Sequence, residues 1–206
     1  MLNLPHSTEV NRRIAKEKLY ANASMTASAK EALKNQVEAV IWRHKLAEST
    51  IGVAAGESVQ EIQVFELSLR QRSLDKSVLP AIARAIPYKI LFILTFENSA
   101  QAWMEAEGTF YGTDWLPPDK LSLKFEGLNL DAMYDSLVRQ IAGGRLDAKG
   151  NIAEAVERDK RRQKLEKEIA ALEKRVFREK QFNRQVELNG KLRRLRRELA
   201  ELNAGT

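Results

Sequence analysis

The chain has 206 residues, of which 44% are hydrophobic and 30% are charged, and its net charge is +6. This length fits one domain, or one domain with an appendage. There is no cysteine and there are only two histidines, so disulfides and thiolate metal sites are excluded and a structural zinc site is not expected. The N-terminal residues lack the basic start and apolar run of a signal peptide. A cytoplasmic protein without a membrane span is therefore expected.

The net positive charge is concentrated in the last quarter of the chain. Residues 151–206 contain 16 basic and 10 acidic residues, a net charge of +6, whereas the preceding residues contain 18 of each. Such asymmetry is typical of an arm that contacts an anionic partner, of which nucleic acid is the commonest. A helical hairpin whose charges only keep it soluble would have the same composition, so both interpretations stay open.

Two helices are predicted before the first strong strand. Ser7 or Thr8 would cap the first, and Ser28 with Glu31 forms a capping box for the second. The second helix is expected to run for about 18 residues, because apolar side chains recur on one of its faces. These side chains are Leu33, Val37, Val40, Ile41 and His44. On that face His44 would be a packed, hydrogen-bonded core residue rather than a catalyst.

Residues 88–96 form the most hydrophobic stretch, with seven apolar residues out of nine. A run this short and apolar predicts a strand that is buried on both faces. Residues 59–69 predict a second strong strand, and residues 75–86 predict a short helix between the two. Strand, helix and strand in this order imply a right-handed crossover that joins two parallel neighbours.

Further strands complete the predicted sheet. An antiparallel meander should follow the central strand, and an edge strand should follow the meander; these strands are residues 100–107, 109–115 and 121–125. Asn129 is expected to cap a helix that Gly143 and Gly144 end. The predicted fold class is therefore α+β, with a mixed sheet of four to five strands and flanking helices.

The last quarter carries two apolar seams of the coiled-coil type. Apolar residues step by three and four over residues 165–176 and again over 188–202. The register slips between the seams, so the chain is expected to reverse direction within residues 177–183 and form an antiparallel helical hairpin. One unbroken helix that forms an intermolecular coiled coil is the alternative. The predicted domains are residues 1–147 and 148–206.

Four arginines lie opposite the leucine seam of the second predicted hairpin helix. They are Arg193, Arg194, Arg196 and Arg197. Such a stripe could hold phosphates along a backbone, with an affinity that falls steeply as salt rises. No aromatic residue interleaves with the stripe and no base-reading motif contains it, so any DNA contact should be nonspecific. The alternative is that these arginines only solvate the hairpin or pair with the acids of a partner.

A metal-dependent nuclease is a weaker alternative. Glu61, Glu66 and Asp75 are the carboxylates that could hold Mg²⁺ in a site of the restriction-endonuclease type. Ser68 stands where such a site needs a lysine. Glu61 and Glu66 are five residues apart, so they would point to opposite faces of a regular strand. No glycine-rich phosphate-binding motif occurs, and no cofactor is expected.

A set of short stretches along nearly the whole chain is recognisable: residues 4–5, 8–12, 61–65, 74–76, 85–87, 115–117, 123–130, 139–142 and 180–184. The set includes the sequences Glu61-Ile62-Gln63-Val64-Phe65 and Lys180-Gln181-Phe182-Asn183-Arg184. It resembles a bacterial family described only as domain of unknown function 4391. Members are often encoded beside DNA helicases and adenine methyltransferases in restriction-modification-like and phage-defence clusters. The resemblance therefore implies a helicase or methyltransferase partner, by association alone, and it supplies no catalytic residues.

The leading hypothesis is a non-enzymatic accessory protein of a bacterial DNA-processing defence complex. Its α+β domain would dock on a partner protein, and its basic arm would contact DNA or the partner. The first alternative is the metal-dependent nuclease, and the second is a module whose arm forms a homo-oligomer.

Overall fold

The computed structural model describes residues 2–22, 25–148 and 150–204. Its α+β fold confirms the predicted class. The chain divides into two compact units, Met1–Gly143, which we call the body, and Gly144–Thr206, which we call the hairpin unit. In the described part of the chain no helix combines the length and the hydrophobicity needed to cross a bilayer.

The body contains one mixed sheet and five helices in its described residues. The strands are β1 (Glu9–Ile14), β2 (Val37–Leu46), β3 (Ile62–Leu69), β4 (Lys89–Phe96), β5 (Ser99–Ala106) and β6 (Thr109–Gly112). The helices are α1 (Lys16–Asn22), α2 (Ala27–Gln36), α3 (Glu48–Ile51), α4 (Val78–Ala85) and α5 (Leu130–Ala142). A short 3-10 helix precedes β1 at His6–Thr8.

The six strands are neighbours in chain order. Strands β3 and β4 are parallel, and the other neighbouring pairs are antiparallel. Helix α4 lies between β3 and β4 in the chain, which confirms a helical crossover between two parallel neighbours, and the antiparallel meander that follows it is confirmed as well. The sheet has six strands rather than the four to five predicted.

Strand β4 lies at the centre of the core, and its residues 90–94 are all buried. Helices α2 and α4 pack against each other, and Leu33 of α2, Ile82 of α4 and Phe92 of β4 share one hydrophobic cluster. Helix α5 packs on β5 and β6. Tyr134 of α5 donates a hydrogen bond to the carbonyl oxygen of Glu105 at 2.5 Å, and burial raises the pKa of the Tyr134 phenol. A strand buried on both faces is thus confirmed at β4.

Both helices predicted at the N-terminal end are wrong in part. Residues 9–14 form the edge strand β1, and the predicted second helix ends at Gln36, after which β2 begins. Strand β2 pairs with both β1 and β3, and this pairing satisfies its backbone groups and buries Val37, Val40 and Leu46. Val37 and Val40 are three residues apart, which is a helical spacing. A register shift between Val37 and Ala39 interrupts the regular alternation of β2, and both valines are buried there, so periodicity alone chose the wrong element.

His44 lies on β2, half-buried, with its Nδ1 atom 2.9 Å from the Thr8 hydroxyl. Burial lowers the pKa of its imidazole, an effect that nearby Glu9 opposes and Arg43 reinforces. The expectation of a packed, hydrogen-bonded histidine is confirmed, although on a strand rather than on a helix.

The edge strand predicted at residues 121–125 is absent from the described residues. The side chain of Gln140 on α5 accepts a hydrogen bond from the Lys124 N–H and donates one to the Lys124 carbonyl, each at 2.9 Å. A side chain therefore satisfies the backbone there, in the place of a neighbouring strand.

Helix α5 confirms its predicted ends. The Asn129 side chain caps it by accepting from the Ala132 N–H, and Gly143 ends it in the left-handed conformation. In its first turn the Asp131 carboxylate accepts hydrogen bonds from the N–H groups of Glu57 and Val59, both at 2.7 Å. A side chain at Gly56 would place its Cβ atom 2.3 Å from Asp131 Cγ, so this contact fixes the loop before β3 and requires glycine.

Candidate nucleic-acid interface

The hairpin consists of helices α6 (Ile152–Arg178) and α7 (Phe182–Ala204). Arg161 of α6 pairs with Glu198 of α7 at 2.6 Å, and near the turn the Gln185 side chain donates to the Val176 carbonyl. These contacts place the start of α6 beside the end of α7, so the two helices are antiparallel. The predicted hairpin is confirmed, its turn lies at residues 179–181, and the alternative of one unbroken helix is wrong.

A narrow leucine seam holds the two helices together. Ile169, Leu172 and Leu192 are buried and form the centre of a separate hydrophobic cluster. Leu188, Leu195 and Leu199 pack against it and are partly exposed. Full burial of such a side chain stabilises a fold by about 1.5–3 kcal/mol. The seam therefore supplies the cohesion of the hairpin, and the faces of α7 away from it stay exposed.

The net positive charge of the hairpin falls within the end of α6, the turn and the first 16 residues of α7. Residues 175–197 contain nine basic and two acidic residues, a net charge of +7. Residues 151–174 contain seven basic and six acidic residues, and residues 198–206 contain two acidic residues and no basic one. The whole excess charge of the protein thus falls within 23 residues, and the remainder of the hairpin is almost neutral.

The four arginines predicted from the sequence are all exposed on α7, but only two of them form ion pairs with described residues. Arg196 pairs with Glu173 of α6 at 2.8 Å, and Arg197 lies 3.8 Å from Glu201 one turn later. Arg193 and Arg194 have no ion pair within the described ranges. Two of the four charges are therefore compensated within the hairpin and two are available.

Four further cations complete this surface, and no local sequence pattern singled them out. They are Arg175, Arg178, Arg184 and Lys191. All four line a shallow groove of about 440 Å³ beside the turn, and Arg175 and Lys191 also line an adjoining groove of about 430 Å³ that includes Arg194. None of the four forms an ion pair in the part of the chain that the structure describes. We use the name basic surface for these four cations together with Arg193 and Arg194.

Two aromatic side chains at the hairpin tip point into solvent. Phe177, the penultimate residue of α6, is 91% exposed, and Phe182, the first residue of α7, is 76% exposed. The arginine stripe itself has no interleaved aromatic residues. The tip does carry aromatics beside cations, because Phe177 adjoins Arg178 and Phe182 lies two residues before Arg184.

A family model described as domain of unknown function, DUF4391, matches residues 2–199. The chain belongs to this family. No curated protein and no solved structure matches it. The match covers nearly all of the body and of the hairpin, so the basic surface and the exposed tip lie within the region that defines the family.

In this DUF4391 protein the three carboxylates considered for a nuclease do not meet. Glu61, just before β3, pairs with Lys45 at 2.7 Å, whereas Glu66 within β3 forms a two-pronged pair with Arg43 at 2.8 and 2.9 Å. That pair raises the pKa of the Arg43 guanidinium. Asp75 lies in the loop before α4, and hydrogen bonds from the Ser77 hydroxyl and N–H lower its pKa. The described residues contain no group of three side chains able to hold a metal ion.

The body also has a cleft of about 470 Å³ beside Glu61. The rings of Trp42 and Phe65 stack along it, with centroids 6.2 Å apart, and Gln63 lines it. Gln63 is 3% exposed, its Nε2 atom donates to Glu61, and its buried Oε1 atom has no donor among the described residues. The cleft thus has an aromatic wall beside charged side chains of both signs, Lys18, Lys45 and Glu61, and differs in chemistry from the basic surface.

Proposed function

We propose that this protein is a non-catalytic accessory subunit that holds nucleic acid by its phosphate backbone on the basic surface. One observation carries the proposal. The six cations of the basic surface have no ion pair among the described residues, and they lie in a 23-residue segment with a net charge of +7. Phosphate contacts of Lys and Arg release condensed counterions, which gives strong and salt-sensitive binding without sequence preference.

The pairing pattern within the hairpin favours this function over simple solvation. A hairpin that needed only solubility could pair its cations with its own acids, as Arg161, Arg196 and Arg197 do. Residues 175–194 contain seven cations without an ion pair among the described residues and only two acids, so these cations repel one another when the protein is alone. An anionic partner relieves that repulsion, and a phosphate backbone offers charges at regular spacing along the whole groove.

The packing of the leucine seam within one chain argues against homo-oligomerisation through the arm. The leucines that would join two chains in an intermolecular coiled coil already pack between α6 and α7. An oligomer would therefore need a different surface from the one that the heptad pattern indicates. This leaves the charged faces, rather than the apolar seam, as the functional surface of the hairpin.

The accessory role is the part of the proposal that rests on the family resemblance. We place the protein in the cytoplasm, in a DNA-processing or phage-defence complex of the restriction-modification type. Its partner there would be a DNA helicase or methyltransferase, on which the neutral body docks while the hairpin holds DNA. The pairing of Glu61 with Lys45 and of Glu66 with Arg43 supports a binding role rather than a cleaving one, since both carboxylates are already engaged.

Fluorescence anisotropy with the full-length protein tests the proposal. The key variant replaces four cations of the basic surface by glutamine: Arg175, Arg178, Lys191 and Arg194. A matched variant removes the same number of charges from exposed cations of the body: Lys30, Arg72, Lys76 and Lys120. The proposal predicts that the hairpin variant binds labelled DNA at least tenfold more weakly. The slope of its affinity against salt, on logarithmic axes, should become shallower by about 0.7–0.9 for each phosphate that it no longer neutralises.

The body variant should bind DNA within about twofold of the wild type. At about 0.1–0.15 M salt, charges more than about 10 Å from the phosphates are largely screened, so cations outside the contact surface contribute little. Equal losses in both variants would show that only net charge matters, and wild-type binding by the hairpin variant would overturn the proposal. Mg²⁺ is included throughout. Recovery of shortened DNA would overturn the non-catalytic role and return attention to Glu66, whose replacement by alanine should then abolish cleavage.

A further inference from the structure

We infer that the hairpin tip selects single-stranded nucleic acid by stacking unpaired bases on Phe177 and Phe182. This inference rests on the proposed function, since it names the form of nucleic acid that the same surface takes. The juxtaposition of two solvent-exposed aromatic rings with the cations of the basic surface carries it.

Both rings at the tip are exposed to solvent. Phe177 and Phe182 lie on either side of the turn, and their side chains are 91% and 76% exposed. Among the described residues they belong to no hydrophobic cluster, although the leucine seam begins within two turns of each. Large apolar side chains left in water at the end of a helix forgo the stabilisation of burial, so their position favours a role in contact with a partner.

The charge around the rings identifies the chemistry of that partner. The turn and its flanks contain Arg175, Arg178, Lys180 and Arg184. The one acid within the turn, Glu179, is engaged, because its carboxylate accepts a hydrogen bond from the Gln181 N–H at 2.9 Å. A purely apolar pocket on another protein would bind the two rings without any contribution from the surrounding cations. A polyanion that also presents flat aromatic faces fits both features at once.

Single strands meet this description better than duplexes. In a duplex the base faces are stacked on one another and closed to a side chain, whereas an unpaired base presents its whole π-face. Proteins that hold single strands without sequence preference combine a cationic groove for the backbone with aromatic side chains for the bases. The grooves lined by Arg175, Lys191 and Arg194 would follow the backbone, and the two phenylalanines would hold the bases at the tip.

A double variant, Phe177→Leu with Phe182→Leu, separates stacking from simple apolar contact, because leucine keeps an apolar side chain and loses the ring. Anisotropy is measured in the full-length protein with a labelled oligothymidylate and with a labelled duplex of the same length. Stacking predicts an affinity for the oligothymidylate that falls about tenfold to a hundredfold, since each stacked base contributes substantially. The affinity for the duplex should change less than twofold.

The matched control is Val186→Ala, which removes an exposed side chain from the same helix without touching an aromatic ring. It should leave both affinities unchanged. Wild-type affinity of the double variant for the oligothymidylate would overturn the inference, as would equal losses on both probes. If the double variant lost binding to anionic phosphatidylserine vesicles and kept its affinity for the oligothymidylate, the tip would be a membrane-binding surface, and the inference would also be overturned.

The failures of the two proposals are distinguishable. If the glutamine variant of the basic surface loses both probes while the double leucine variant loses neither, the proposed function stands and the stacking inference fails. If the wild-type protein binds neither probe at low salt, both fail together.

Discussion

The body and the hairpin achieve stability in opposite ways. The body is close to neutral in charge, and its central strand is covered on both faces. Its carboxylates Glu61 and Glu66 are each engaged by a neighbouring cation. The hairpin has a leucine seam between its helices, leaves the six cations of the basic surface without an ion pair among its described residues, and holds two phenylalanines in water.

This difference indicates where function lies. In the body, burial decides the position of nearly every apolar side chain, so most of its residues are explained by folding alone. In the hairpin, the seam buries the apolar side chains that join the helices, whereas the two rings are exposed and the cations of the basic surface form no ion pair among the described residues. Residues that stability does not require are the better candidates for binding.

The sharpest test of this comparison uses one residue type in both regions. Phe92→Ala removes a fully buried ring from β4 and should lower the free energy of unfolding by about 3–5 kcal/mol, because it leaves a cavity in the core. Phe182→Ala at the exposed tip should change it by less than about 0.5 kcal/mol. Urea denaturation monitored by circular dichroism measures both. Similar losses at the two positions would break the comparison.

The second largest loss of stability is expected from a substitution in the leucine seam of the hairpin. Leu192→Ala is expected to lower the stability of the hairpin by about 2 kcal/mol, at the low end for a buried leucine because the seam is narrow and its walls can close. The loss should appear as an earlier thermal decrease of helical circular dichroism. Leu128→Ala, at a 96% exposed position of the body, serves as the control. An unchanged helical signal in Leu192→Ala would mean that the seam does not hold the helices together.

The loop before β3 provides a polar test within the body. Asp131→Ala removes the acceptor of the Glu57 and Val59 N–H groups and should cost about 2 kcal/mol, since hydrogen bonds to a charged group are the stronger ones. Removal of the Asp119 carboxylate should have no measurable effect. Hydrogen exchange of residues 57–59 should accelerate in the Asp131 variant alone, and slow exchange there would contradict the assignment.

The smallest expected effect is a dependence on pH in the body. Burial lowers the pKa of His44 below its unfolded value, so the unfolded chain binds a proton more readily than the folded one. The stability that neutral His44 provides is complete above about pH 6.5 and decreases as the pH falls below it. His44→Gln should flatten this part of the profile of unfolding free energy against pH. A wild-type slope in the variant would show that another group titrates there.

The sequence predicts those elements whose signal is local. Strand β4 is a continuous apolar run, and α5 has an asparagine cap and a glycine end. Strand β2 could not be predicted in this way, because Val37 and Val40 have a helical spacing and the register shift beside Val37 breaks the alternation that marks a strand. Only the pairing of β2 with β1 and β3 decides between them, and that pairing is not visible in the local pattern.

In the candidate site, too, the contiguous residues could be predicted from the sequence and the residues brought together by the fold could not. The stripe from Arg193 to Arg197 is contiguous and visible in the sequence, but the structure pairs two of its members with acids. Arg175 and Lys191 lie far apart in the chain and meet only because the chain reverses at the turn. Their positions near the seam residues Leu172 and Leu192 are the signal that could have revealed them, once a hairpin is assumed.

Hydrogen exchange of the full-length protein, with and without an oligothymidylate, tests the central claim most directly. We predict slower exchange of backbone amides within residues 175–197, with no change across the sheet of the body. Slower exchange in the body, with unchanged exchange within residues 175–197, would contradict this claim. Such a result would favour the cleft lined by Trp42 and Gln63 as the binding site.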